Sequence, residues 1–199
     1  MDYFFYCRAK PGAEALADER TAAHWAYMDQ YATTMIARGP TLSEDGTEWT
    51  GSMHIVGLPD AAAAQSFAFD EPYYRAGVFG DVLLRRWRNE LGRTMWQFQG
   101  DPDHRRRFLI IGHGKPDASE QRGSLPLRHR FLEDHVSQLI ACGLLLSDDD
   151  ATWVGGIMLA EAPDRSAVEA LVESDPFAQA GLYASVEIYR WRFGGRPSA

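Results

Sequence analysis

The chain is written twice. Glu71-Pro72-Tyr73-Tyr74-Arg75-Ala76-Gly77-Val78-Phe79 returns as Asp175-Pro176-Phe177-Ala178-Gln179-Ala180-Gly181-Leu182-Tyr183, an offset of 104 positions (175 less 71) that also carries Arg86-Trp87-Arg88 onto Arg190-Trp191-Arg192. Held without a gap, the offset pairs Gly39 with Gly143, Trp49 with Trp153, Gly51 with Gly155 and Pro59-Asp60 with Pro163-Asp164. A period this long means two domain-sized units and not a solenoid of short repeats. The 199 residues divide as 1–98, a linker 99–107 that holds Arg105-Arg106-Arg107 and reads as solvated, and 108–199. Each unit has about 100 residues, enough for a modest core.

The order of elements follows from patterning. Tyr3-Phe4-Phe5-Tyr6-Cys7 is apolar on both alternating faces, and Phe108-Leu109-Ile110-Ile111 echoes it, so both are strands covered on two sides. Lys10-Pro11-Gly12 and Lys115-Pro116-Asp117 end them with turn chemistry. In the helix that follows, Trp25, Met28, Ala32, Met35 and Ile36 fall within one arc of about 100°, which is expected to face the sheet. His24, Tyr27 and Tyr31 lie on its flank; Arg128, Phe131 and His135 hold the matching flank of the second unit. Gly39 and Gly143 are expected to close these helices, which would put Cys142 at a helix end. Hairpins follow, with strands at Thr41-Leu42-Ser43 and Leu144-Leu145-Leu146, acidic turns at Glu44-Asp45-Gly46 and Asp148-Asp149-Asp150, and return strands at 51–56 and 155–160. Asp60 and Asp164 cap a second helix. Thr94-Met95-Trp96-Gln97-Phe98 is amphipathic and reads as an added fifth strand.

Each unit is therefore βαββαβ, the ferredoxin-like order, and the fold class is α+β. The doubly apolar first strands predict two tandem repeats packed sheet to sheet within one chain.

Composition narrows the function classes. A net charge of −8 and a pI near 5.2 argue against nucleic acid, which needs a basic face. No apolar run approaches the roughly 20 residues of a membrane span, and no basic-then-apolar leader opens the chain, so no membrane partner and a cytoplasmic location are expected. Two cysteines at unlike places suggest no disulfide framework. His54, His104 and His113 show no metal-ligand spacing, and no glycine loop of the phosphate-binding kind occurs, so neither metal nor cofactor is expected.

Both halves resemble the YciI-like (YCII-related) family of the dimeric α/β-barrel superfamily. The likeness rests on His24-Trp25-Ala26-Tyr27-Met28, Gly39-Pro40, Gly51-Ser52 and Glu71-Pro72-Tyr73 with Ala76-Gly77 in the first half. In the second it rests on Gly143, Gly155, Asp175-Pro176-Phe177 with Ala180-Gly181, and Trp191. The resemblance implies an intrachain α/β barrel, existing as a monomeric pseudo-dimer or a homodimer, with a small-molecule ligand. It also implies a His and acid pair working in an open pocket; eliminations of chloride from ring compounds are among the activities associated with the family. His24 stands at the family's His, with Glu71 for the family's Asp and Asp70 just before it. The second half keeps Asp175, but Arg128 holds the His position, Gly156 the position of Ser52, and His129 is one residue off. Arg128 there is a fixed positive charge, suited to an anion.

The expected catalytic set is thus His24, Glu71 and Asp70, with Tyr27, Tyr31, Ser52, Tyr73, Arg128, His135 and Asp175 around the substrate. These residues suit a cofactor-free lyase or isomerase in which His24 is general base toward a small cyclic or phenolic compound. The alternative is a non-catalytic α/β barrel that binds or senses a small molecule.

Overall fold

The computed structural model describes residues 1–101, 105–116, 118, 125–149 and 152–195. The chain forms two compact units, one of Met1–Trp87 joined by the stretch from Arg192, the other of Arg88–Trp191. The first unit runs β1 (Asp2–Ala9), α1 (Glu14–Asp29), β2 (Met35–Leu42), β3 (Trp49–Gly57), α2 (Ala61–Phe69), α3 (Pro72–Arg75) and β4 (Phe79–Asn89). A 3-10 turn at Met95–Gln97 follows. The same order returns as β5 (Arg106–Gly114), α4 (Leu125–His135), β6 (Leu139–Leu146), β7 (Trp153–Ala162), α5 (Arg165–Ser174), α6 (Pro176–Gln179) and β8 (Tyr183–Trp191).

Within the first unit the antiparallel strands are ordered β4-β1-β3-β2, and within the second β8-β5-β7-β6. The ferredoxin-like α+β class expected from the repeat is what the chain forms. Alternation along β1 divides its side chains cleanly. Tyr3 and Phe5 pack with Met28 of α1 and Phe67 of α2, while Phe4 and Tyr6 are buried on the opposite face. In the second unit Phe108 and Ile110 join Phe131, Leu132, Val168 and Leu171 of the helices. Burial of this kind supplies the dominant favourable contribution to folding, and it fixes which strand residues can meet a helix.

Both second helices begin as expected, with Asp60 accepting from the Ala63 N–H at 2.8 Å and Asp164 from the Ala167 N–H at 2.9 Å. The first long helix departs from expectation. It stops at Asp29, so Ala32 lies beyond it and Met35 and Ile36 belong to β2. The pair of β-branched residues Thr33-Thr34 disfavours helix there, and the Met28-to-Met35 spacing that suggested one face is a coincidence of a helix heptad with a later strand. The buried face of α1 is Ala17, His24 and Met28, with Trp25 partly exposed. Hence His24 is central to that face and not on its flank.

Gly39, Gly143 and Cys142 lie inside strands β2 and β6, so neither glycine closes a helix. The hairpin strands are longer than 41–43 and 144–146, and Gly46 at φ 83° makes the first turn. The 94–98 segment is a single 3-10 turn and not a fifth strand, because Thr94 and Gln97 close a capping box around it. Arg106 and Arg107 open β5, and Arg107 Nε meets Glu161 Oε2 at 3.0 Å, so that basic run is not solvated linker throughout. His104 and Asp150 lie outside the described residues. Among the described residues, no helix is long and apolar enough to cross a membrane.

The repeated Gly51 and Gly155 explain themselves by close approach. A Cβ on Gly51 would lie 2.3 Å from the Cys7 carbonyl oxygen, and one on Gly155 2.1 Å from that of Gly112. Backbone oxygens on a neighbouring strand cannot move aside like a side-chain end. Gly51→Ala and Gly155→Ala are each expected to lower stability by about 1–3 kcal/mol in urea unfolding, the usual cost of overpacking. Wild-type midpoints in both variants would contradict this account.

Candidate functional site

The site in the first unit is built around a capping carboxylate. Glu71 is the N-cap of α3, and its Oε2 accepts from the Tyr74 N–H at 2.9 Å. Pro72 at the first helical position sets the chain direction there. The other oxygen, Oε1, lies 2.5 Å from Nδ1 of His24 on α1, and both residues are buried. The carboxylate therefore holds the ring with Nδ1 as donor, which leaves Nε2 as the nitrogen available to a ligand.

Tyr73, next in sequence, stacks flat on the His24 ring with centroids 4.2 Å apart and planes 1° from parallel. Its own hydroxyl is tied back to α1. Thr21 donates to the Ala17 carbonyl at 2.9 Å and so accepts from Tyr73 at 2.8 Å. Burial raises the Tyr73 phenol above its ordinary range, which suits a neutral spacer and not an acid.

His54 of β3 is the member that sequence reasoning missed. Its ring meets His24 edge-on at 5.9 Å between centroids and Phe67 at 5.7 Å. Burial first, then the nearby His24 and Arg38, hold its protonation well below the usual range, so it is neutral near pH 7. Only the alternation of Ser52 and His54 on one face of a strand could have pointed to it. Ser52, two residues before, is buried as well.

The other expected residues lie elsewhere. Asp70 pairs with Arg75 at 2.7 Å on the surface, so the acid that meets His24 is Glu71. Tyr27 donates to the Ser66 carbonyl at 3.0 Å, Tyr31 donates to Tyr27 at 3.4 Å, and both rings pack on Phe67. They brace α1 against α2. Burial pushes the Tyr27 hydroxyl well above its ordinary range.

The same place in the second unit is occupied differently. Arg128 Nη1 donates to Asp175 Oδ1 at 2.9 Å, and Nε and Nη2 donate to Glu90 Oε2 at 3.2 and 2.9 Å. Tyr183 donates to Asp175 Oδ2 at 2.9 Å, and the Phe177 N–H to Oδ1 at 3.1 Å. Burial alone would weaken the guanidinium's hold on its proton, but Cys142, Asp175 and Glu90 outweigh it and hold Arg128 above the ordinary range. Its cation lies over the rings of Phe131 and Phe177. The charge expected to await an anion is thus already met by two carboxylates. His135 donates from Nδ1 to the Phe131 carbonyl at 2.8 Å and takes no part in that network. Histidine 113 pairs with Glu187 at 2.6 Å on β8.

Two βαββαβ units, each with a polar side chain of its first helix set against a capping acid, define a protein of the dimeric α/β-barrel class. The YCII-related domain model matches residues 1–88 and 106–192, and the chain belongs to that family with the domain present in tandem. Among curated proteins none matches the sequence. Of solved structures, a mutant chlorite dismutase from Candidatus Nitrospira defluvii is similar over 97% of this chain and 90% of its own, at 12% identity and a TM-score of 0.62, a likeness of fold. The 5-chloro-2-hydroxyhydroquinone dehydrochlorinase TftG from Burkholderia phenoliruptrix AC1100, in complex with 2,5-dihydroxybenzoquinone, is 27% identical over 47% of this chain and 99% of its own, at a TM-score of 0.43.

Two outcomes follow from the geometry. Replacing Arg128 by Met strands Asp175 and Glu90 without their cation, and should cost about 3–5 kcal/mol in equilibrium unfolding. A loss within experimental error would mean that the network is relaxed by water. For His54, the unfolded chain takes up a proton as pH falls through about 6.5, while the folded ring stays neutral, so stability must fall with pH below that value. The His54→Gln protein should lose less stability than wild type between pH of about 7 and 5, and parallel curves would exclude His54 as a source of acid sensitivity.

Proposed function

We propose that the first unit is the reactive one, and that it runs a cofactor-independent lyase- or isomerase-type reaction in which His24 removes a proton from a small cyclic or phenolic compound. The observation that carries this reading is the contact of His24 Nδ1 with Glu71 Oε1 at 2.5 Å, with the second oxygen of Glu71 anchored on a backbone N–H. A carboxylate so held fixes the tautomer and stabilises the imidazolium that forms when Nε2 takes the proton. Tyr73 keeps the ring from tilting.

The substrate proton moves to Nε2, and its electron pair stays on the substrate to expel a leaving group or to rejoin a proton elsewhere. The second unit does not share this chemistry, because a guanidinium is not a base at physiological pH. A second reading, a non-catalytic module that binds the same class of compound, draws on the enclosure of His24, whose ring is almost wholly covered. It predicts binding without turnover.

The two readings separate by mutation. In a screen of phenolic and lactone compounds, His24→Ala should lower turnover about 10²- to 10⁴-fold and Glu71→Gln somewhat less, with ligand binding kept in both. A His24→Ala protein with wild-type turnover and pH dependence would remove His24 from the chemistry and leave the binding module.

A further inference from the structure

The sheet beneath each capping acid differs between the units at one pair of facing strand positions. In the first unit Cys7 stands opposite Ser52 where β1 pairs with β3; in the second, Gly112 stands opposite Gly156 where β5 pairs with β7. Two facing glycines leave a bare strip of backbone. Neither adopts a positive φ, so conformation does not explain them. Glycine inside a strand weakens it, and marks places where some other group must approach the backbone closely.

The group on that strip is the phenol of Tyr183. A Cβ on Gly112 would come 2.4 Å from Cε1 of the ring, and one on Gly156 3.1 Å from the hydroxyl oxygen. The ring meets Phe177 edge-on at 6.3 Å between centroids and is tilted against Trp153 at 5.8 Å. Its hydroxyl donates to Asp175 Oδ2 at 2.9 Å, while Oδ1 of the same acid accepts from Arg128 Nη1 and from the Phe177 N–H. Burial first, and then the charge of Asp175, raise the Tyr183 hydroxyl well above its ordinary range, so it stays a neutral donor.

The first unit shows that the ring and its hydroxyl are separable. Phe79 stands at the Tyr183 position, edge-on to Tyr73 at 5.6 Å and tilted against Trp49 at 6.2 Å, the counterparts of Phe177 and Trp153. An aromatic ring there serves packing in either unit. Only the second unit adds a hydroxyl directed at the capping acid, and only there do the two facing strand positions lack side chains. Space and donor change together. Small-molecule sites are built this way, from apolar and aromatic walls with a few placed polar groups, and the contacts of Tyr183 are those that a free phenol would make.

We propose that the second unit contains a phenol-binding site whose occupant is the chain's own Tyr183. Its ligand class is a neutral phenol, recognised by the O–H donated to Asp175 and by contact of the ring with the Gly112 and Gly156 strip, Phe177 and Trp153. Tethering makes this binding intramolecular, so a dissolved phenol competes poorly while Tyr183 is present. Removing the tethered ring exposes the site. The assignment involves no residue of the first unit and stands whether or not His24 is a general base.

The probes are phenol and anisole, which share a ring and an oxygen but differ in the donor. Calorimetric titration compares full-length Tyr183→Ala with wild type, so that uptake elsewhere in the chain appears in both and cancels. Tyr183→Ala should bind one more equivalent of phenol than wild type does, and should bind anisole there about tenfold or more weakly, the usual loss of a hydrogen bond to a charged group. A merely apolar cavity accepts any ring that fits, so equal affinity for the two compounds overturns the proposal, as does the lack of an added equivalent. Tyr183→Phe keeps the ring in place and should match wild type in stoichiometry; an added equivalent in that variant also overturns it. If Tyr183→Ala fails to fold, refolding in each compound carries the test. Folded protein with phenol and not with anisole supports the site, and recovery with both or with neither overturns it.

Discussion

Everything in either unit turns on one buried carboxylate. Glu71 and Asp175 each cap a short helix that begins with proline, and the capping geometry puts the acid beneath the first long helix of its unit. One set of lone pairs is satisfied by the backbone, at Tyr74 or Phe177. The remaining charge is out of water and requires a partner, since an isolated buried carboxylate is prohibitively costly. The first helix must supply that partner, 47 residues upstream in both units.

The choice of partner then decides what surrounds it. Arginine brings a full charge and a fork of donors, and it draws in Glu90 with Asp175, while Tyr183 completes the latter's second oxygen. The result is a network in which Nε, Nη1 and Nη2 of Arg128 each donate to a carboxylate. Histidine brings one donor to Glu71 and keeps a nitrogen in hand. Its neighbours are the stacked ring of Tyr73 and the neutral imidazole of His54. One duplicated frame thus carries a buried arginine–carboxylate network in one unit and a histidine–carboxylate pair in the other.

Much of this was legible in the residues. The repeat offset implied two units, the aspartates before each second helix marked their caps, and the family resemblance, not any spacing, brought His24 together with the Glu71 loop. What could not be read has physical causes. Met35 and Ile36 continue a helical period by accident and hide the start of β2, and with it the fact that Arg38 and Gly39 are strand residues. His54 looks like a core position because strand alternation says which face a side chain takes, not which helix lies over it. Glu90 falls just past a repeated strand, where its counterpart is Gly194, so comparing the halves as text finds no acid to notice. The fit of Glu71 over Asp70 depended on capping, which the order of letters alone does not decide.

The cysteines give the molecule an unplanned pair of gauges. Cys7 lies in β1 of the first unit and Cys142 in β6 of the second, both buried and neither in a disulfide. Burial dominates at each, raising the Cys7 thiol far above its ordinary range and the Cys142 thiol to about 12, the latter although Arg128 pulls against the rise. A thiol so protected reacts with a labelling reagent only when its surroundings come apart. Because each unit carries one, the mass of labelled peptide reports the opening of that unit and of no other. The duplicated chain therefore comes with a separate clock for the breathing of each half, readable in the unaltered protein.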